Sequence, residues 1–118
     1  MMGSAGLSER CRLTVLAVDT VDSTGHVADV DPDQAQELLD RIFDHLKRAV
    51  EKCGGLLVSY AGGGGLPVFG WPNRLENHAD RACEAAWRIQ ELGAQPNPLR
   101  GADGRPVQYI AWAFIAGW

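Results

Sequence analysis

Leu13, Val15, Leu16, Ala17 and Val18 form a nearly continuous apolar run that stops at Asp19. Such a run reads as a β-strand covered on both faces, because a half-exposed strand would alternate apolar and polar residues. The strand delivers Asp19 and then a short polar loop containing Asp22, Ser23 and Thr24. Any fold for this chain must therefore place a buried strand centrally, with a carboxylate at its end.

The segments that follow supply what covers it. Asp31-Pro32 opens a helix, with Asp as N-cap and Pro at the first helical position. Apolar residues then recur at Leu38, Leu39, Ile42, Phe43, Leu46, Ala49, Val50 and Cys53, the spacing of an amphipathic helix. Gly54-Gly55 stops it where a left-handed residue is wanted. Leu56 to Tyr60 predicts a strand, Gly62 to Gly65 a turn, and Leu66 to Gly70 a returning strand. Pro67 cannot donate a ladder hydrogen bond, so a bulge or an open side is expected there. Ala79, Ala82, Cys83, Ala86, Ile89 and Leu92 mark a second helix, Gln95 to Pro106 a loop, and Val107 to Ile115 a last strand. Strand, helix, hairpin, helix, strand is the order of a ferredoxin-like α+β sandwich, with helices on one face of a mainly antiparallel sheet.

Composition narrows the function. The 118 residues suit one domain, or part of one, and 46% hydrophobic with 22% charged residues suits a soluble globular domain. A net charge of −4 without a basic cluster argues against a nucleic-acid partner. No segment has the apolar core of a signal peptide or the length of a membrane span, so a cytoplasmic protein with no membrane partner is expected. Residues 1–11 read as a disordered tail and 12–118 as the folded part. Cys11, Cys53 and Cys83 with His26, His45 and His78 show no zinc-type spacing. Cys53 and Cys83 read as small core residues on helices. His45 and His78 read as solvated or partly buried. The glycine run lacks the Gly-Lys-Ser/Thr that would make it a Walker phosphate loop. Trp71, Trp87, Trp112 and Trp118 are candidates for a partner surface, with Trp87 expected to pack beside its helix and Trp112 and Trp118 expected on an uncovered face or edge.

Four stretches, LTVLAVDTVDST, DPDQAQELLDRIF, GGLLVSYAGGGGLPVFGWP and ENHADRACEAAWRIQEL, together resemble the catalytic domain of class III nucleotide cyclases. The resemblance runs from about Arg12 to about Trp118. It is nearest to the cyclase-type head at the N-terminus of large bacterial ATPase-containing regulators. It implies an ancestral reaction from ATP to cyclic AMP and pyrophosphate, at a dimer interface, with magnesium or manganese held between two carboxylates.

Carried over by position, the resemblance makes Asp19 the first metal ligand and Thr20, Val21, Asp22, Ser23 and Thr24 the phosphate loop. Gly63 falls where the second carboxylate is expected, and one carboxylate alone holds magnesium poorly. Asp22 stands where the family generally has Gly, and is a candidate substitute ligand. Ser59 stands where adenylate cyclases usually carry a base-recognising Lys. Ala111 and Trp112 stand near the places of a family Arg and small residues. The chain also stops before the strands and helix that supply the family's base-contacting acid, Asn and transition-state Arg, so the C-terminal part of the domain is expected to be missing.

Three functional expectations follow. The chain is a degenerate cyclase domain, inactive alone, that regulates or dimerises or is a truncated remnant. Alternatively it is a half-site completed by a partner cyclase subunit in a heterodimer. A third reading is a sensor that binds ATP or another purine nucleotide without turnover.

Overall fold

The structure, a computed structural model, describes residues 12–117. The predicted tail, Cys11 and Trp118 lie outside these residues. The elements are β1 (Arg12–Thr20), a single turn α1 (Ser23–His26), α2 (Pro32–Lys52), β2 (Leu56–Ala61), β3 (Gly64–Phe69), α3 (His78–Leu92) and β4 (Tyr109–Gly117). The strands form one antiparallel sheet in the order β2-β3-β1-β4. The predicted α+β sandwich is thus the observed architecture.

Local chemistry sets the element ends. Asp31 caps α2, its carboxylate accepting the Gln34 amide at 3.0 Å with Pro32 in the first turn. Gly54, at φ 83°, takes the left-handed position after α2. The irregularity expected from Pro67 lies on the facing strand: the register of β2 on β3 shifts between Leu57 and Tyr60. That bulge exposes both Val58 and Ser59. β4 begins at Tyr109 rather than Val107. Val107 instead donates its amide to the Leu99 carbonyl at 2.8 Å and sits buried below the loop.

The helices cover one face of the sheet. Thr14, Leu16, Val18 and Thr20 of β1 point into it, with Ile42, Leu46 and Val50 of α2 and Ala82, Ala85 and Ile89 of α3. Burial of this apolar surface is the main stabilising term, at about 25 cal/mol per Å². The other face carries no helix, which corrects the expectation that β1 is covered on both sides; Leu13 and Val68 are buried there by neighbouring side chains and the rest is open. Val15 and Ala17 lie there, paired across β4 with Phe114 and Trp112. Leu56, Val58, Leu66, Ile110, Trp112 and Phe114 are all exposed. The continuous apolar run reflects a second apolar face, not a second layer of helices.

Two core assignments are also corrected. Cys83 is exposed, and Ala85 takes the buried position on α3. Trp87 is 63% exposed and does not pack into its helix surface. A tight approach to the sheet selects the small residues Ala82 and Ala85, which leaves Cys83 outside the core and Trp87 over the groove between α2 and α3, beside His45 and Arg48. Cys53 is buried as expected. His78 is partly buried and lies 2.7 Å from the Thr14 hydroxyl. His45 is partly buried, and desolvation lowers its pKa.

Candidate functional site

The open face carries a shallow depression of about 370 Å³ at the hairpin end of the sheet. Asp19, Ser59, Gly64, Leu66 and Trp112 line it. The fold therefore brings together Asp19 and Ser59, which are 40 positions apart in sequence. Asp19 points to this face because the strand period turns it opposite to Val18 and Thr20. Its neighbour across β4 is Ile110. One carboxylate oxygen accepts the Thr20 amide at 2.8 Å.

The glycine turn lies against Asp19. A Cβ on Gly64 would sit 2.9 Å from the Val18 carbonyl oxygen and 3.3 Å from Asp19 Oδ1, so the close approach needs glycine there. Gly63 is buried, and its carbonyl accepts the Thr20 hydroxyl. Gly63 has φ 90°, a backbone region that side chains strain. Its carbonyl is thus turned to Thr20 on the helix side of the sheet, and it brings no carboxylate to the depression.

The segment Thr20 to Thr24 leaves the sheet as a tight turn. The Val21 amide is bonded to the Gln108 carbonyl at 2.8 Å, and the Thr20 amide to Asp19. Two of the five predicted phosphate-loop amides are therefore engaged within the protein. Asp22 adopts the left-handed conformation, φ 54° and ψ 45°. Its carboxylate accepts the Gly25 amide at 3.3 Å and pairs with Arg105 at 2.7 Å. Ser23 and Thr24 begin the one-turn helix that follows.

These donors do not fit a two-metal centre. Asp19 is one carboxylate, Gly63 supplies none, and Asp22 is held by Arg105. Among the described residues, no group of three or more His, Cys, Asp or Glu side chains is placed to hold a metal ion. Magnesium takes oxygen ligands in octahedral geometry and usually needs one or two carboxylates plus phosphate oxygens. Any metal here would depend on oxygens brought by a ligand or a partner.

Sequence reasoning missed a cluster beside this loop. Asp103 accepts from His26 Nδ1 at 3.0 Å and from the Arg105 amide at 3.1 Å, and pairs with Arg105 Nε at 3.2 Å. The hydrogen bond to His26, then those to Arg105, lower the Asp103 carboxyl from 3.8 to about 2. The folded pKa lies below the unfolded one. The contribution of Asp103 to stability is therefore complete above the ordinary carboxylate range and is lost as pH falls towards 2. Asp103→Asn is expected to flatten the acid limb of the stability profile between about pH 4 and pH 2. Melting temperature against pH checks this; parallel acid limbs in the two proteins would contradict it. The sequence signal was the Asp103-Gly104 turn, Gly104 having φ 79°, between two arginines. Its partners lie about 80 positions upstream, beyond any local pattern.

Comparison with known proteins bears on this geometry. No family model matches the chain. An uncharacterized protein of Mycobacterium tuberculosis H37Rv is 36% identical over 84 residues, covering 71% of this chain and 16% of that protein. A second one from the same strain is 32% identical over 105 residues, covering 87% and 19%. The chain spans less than a fifth of the length of these curated relatives. Among solved structures, a dimeric guanylyl cyclase domain of the RhoGC fusion protein from the aquatic fungus Blastocladiella emersonii superposes with TM-score 0.80 at 19% identity, over 92% of this chain and 59% of that one. The guanylate cyclase domain of RhGC from Catenaria anguillulae in complex with GTP gives 0.79 at 20% identity, over 93% and 59%. The adenylyl cyclase CyaB from P. aeruginosa gives 0.65 at 16% identity, over 92% and 58%. The open sheet face, the glycine hairpin and the Asp19 depression are thus set on the fold of guanylyl and adenylyl cyclase catalytic domains, of which this chain spans rather more than half.

Proposed function

We propose that this chain is a class III nucleotide cyclase-type domain that pairs through its open sheet face with a second domain of the same kind. It acts in cyclic-nucleotide signalling in the cytoplasm as a regulatory partner, and does not turn nucleotide over alone. The observation that carries this reading is the pairing of Asp19 with Gly63. Asp19 stands at the depression, and Gly63, at the position the resemblance gives to the second carboxylate, has no side chain and turns its carbonyl to the Thr20 hydroxyl. The apolar face around the depression supports the pairing, since an exposed patch of this kind marks an interaction surface. A neighbour in fold is described as dimeric, and another as bound to GTP. ATP or another purine nucleotide remains the ligand this fold suits, with magnesium or manganese arriving on its phosphates.

Asp19 also favours a second reading. An exposed carboxylate kept at the first metal position suits a half-site completed by an intact cyclase subunit. One experiment separates the two. The chain is incubated with ATP or GTP and magnesium or manganese, alone and with an intact homologue, and cyclic nucleotide is measured. No product is expected from the chain alone, and metal-dependent product there would overturn the proposal. Product in the mixture that disappears with Asp19→Ala would establish the half-site instead.

A further inference from the structure

The charged cluster on the loop between α3 and β4 has no part in the pairing surface. We propose that Arg105 is a phosphate-recognising cation of the loop after β1, held ready by Asp103 and His26 and masked by Asp22. The ligand it fits is the phosphate chain of a nucleotide. This inference rests on the reading that Thr20 to Thr24 faces nucleotide phosphates.

The arrangement is directional. At one end His26 is buried, 3% exposed. Its carbonyl accepts the Ala102 amide at 2.9 Å, and Gly101 lies so close to the imidazole that a Cβ there would collide with it. His26 holds Asp103 through Nδ1. Asp103 in turn takes both the backbone amide and the Nε of Arg105. This fixes the plane of the guanidinium. At the other end the same guanidinium reaches Asp22 in the middle of the predicted phosphate loop. The Arg105 side chain is 66% exposed and that of Asp22 50% exposed. A small hollow of about 160 Å³ opens beside them, lined also by Val21 and Gln108.

The two ends differ in strength. An ion pair between half-exposed groups contributes little, so the Asp22 contact is readily exchanged. Asp103 is the less exposed partner, 23% against 50% for Asp22, and is also bonded to the buried His26 ring and to the Arg105 amide. A phosphate chain carries more charge than a carboxylate and matches the planar fork of a guanidinium. Asp22 therefore acts as an internal stand-in for a phosphate oxygen. The same pairing compensates the charge that Asp22 places in this loop.

Calorimetric titration with ATP, inorganic triphosphate and adenosine, all with magnesium, tests this. The proteins compared are the wild type, Arg105→Ala, Arg105→Lys, Asp22→Asn, and the Asp22→Asn/Arg105→Ala double variant. Asparagine tolerates the left-handed turn, so Asp22→Asn changes charge and not backbone. The wild type should bind ATP and triphosphate but not adenosine. Arg105→Ala should weaken both by about tenfold or more, the effect of losing a charged hydrogen-bond partner. Arg105→Lys should fall between, keeping charge without the fork. Asp22→Asn should tighten binding severalfold, and this gain should vanish once Arg105 is absent. Melting temperatures without ligand identify any unfolded variant, in which case Arg105→Lys and Asp22→Asn carry the test. Binding that ignores Arg105 in folded variants overturns this inference and leaves the phosphate-loop reading standing. Failure of the wild type to bind ATP or triphosphate overturns both.

Discussion

Trp112→Asp is expected to leave the fold intact and to abolish the proposed self-association. Trp112 is 49% exposed on the open face, beside Ile110 and Phe114 and above Ala17. The helix-side core does not include it, so folding loses little. Aspartate is a poorer strand residue, at a cost within about 1 kcal/mol. Association loses much more. A central aromatic in an interface is worth about 2 kcal/mol or more, and its replacement by a charge adds a desolvation penalty. The dissociation constant should therefore rise by at least about thirtyfold. Sedimentation equilibrium over a concentration series reads this directly, with circular dichroism to confirm the fold. Trp87→Asp, in the groove between α2 and α3 on the helix side of the sheet, is the matched control and should leave association unchanged. Equal association of the two variants, or a wild type that is monomeric at about 100 μM, would remove the pairing surface from the proposed function.

Much of the architecture was legible because its signals are local. The Asp31-Pro32 start, the 3.6-residue spacing to Cys53 and the Gly54 stop describe α2 almost residue by residue. The resemblance pointed to Asp19 and Ser59, and the fold does bring them to one depression. What was not legible depends on tertiary partners. The apolar run in β1 gave no indication that one of its faces remains open, since an apolar face meant for a partner reads like a buried one. Helical spacing put Cys83 on the inner side of α3, and the close fit to the sheet selected Ala85 instead. Asp22 looked like a misplaced charge. Its compensation by Arg105 joins positions 83 residues apart, a contact that no motif encodes.

Ala111 packs on the core, but Ile115, on the same side of the strand, is 67% exposed. β4 is also an edge strand of the sheet. Exposed apolar edges invite pairing with further backbone. The same part of the sheet carries Phe114 on the opposite face, so the apolar surface wraps around the strand instead of ending at the depression. A partner that covers Trp112 would also shield much of this strand.

Phe69→Ala is expected to produce the largest loss of stability, about 3–5 kcal/mol, and Gly55→Ala is expected to relieve part of it. Phe69 is fully buried at the end of β3, opposite Thr14 of β1. Removing its ring leaves a cavity that the surrounding β-strands cannot close. For a domain of this size the loss is a large share of a total stability near 5–15 kcal/mol. Gly55 sits directly on that ring, and a Cβ there would collide with Cε2 of Phe69. Gly55→Ala alone therefore overpacks the site, typically at about 1–3 kcal/mol. In the Phe69→Ala background the collision partner is gone and the new methyl enters the vacated space. The double variant should then be more stable than the sum of the single effects by about 0.5–3 kcal/mol. Urea unfolding of the four proteins measures this coupling. Strict additivity would mean that the contact between Gly55 and the Phe69 ring does not limit the packing.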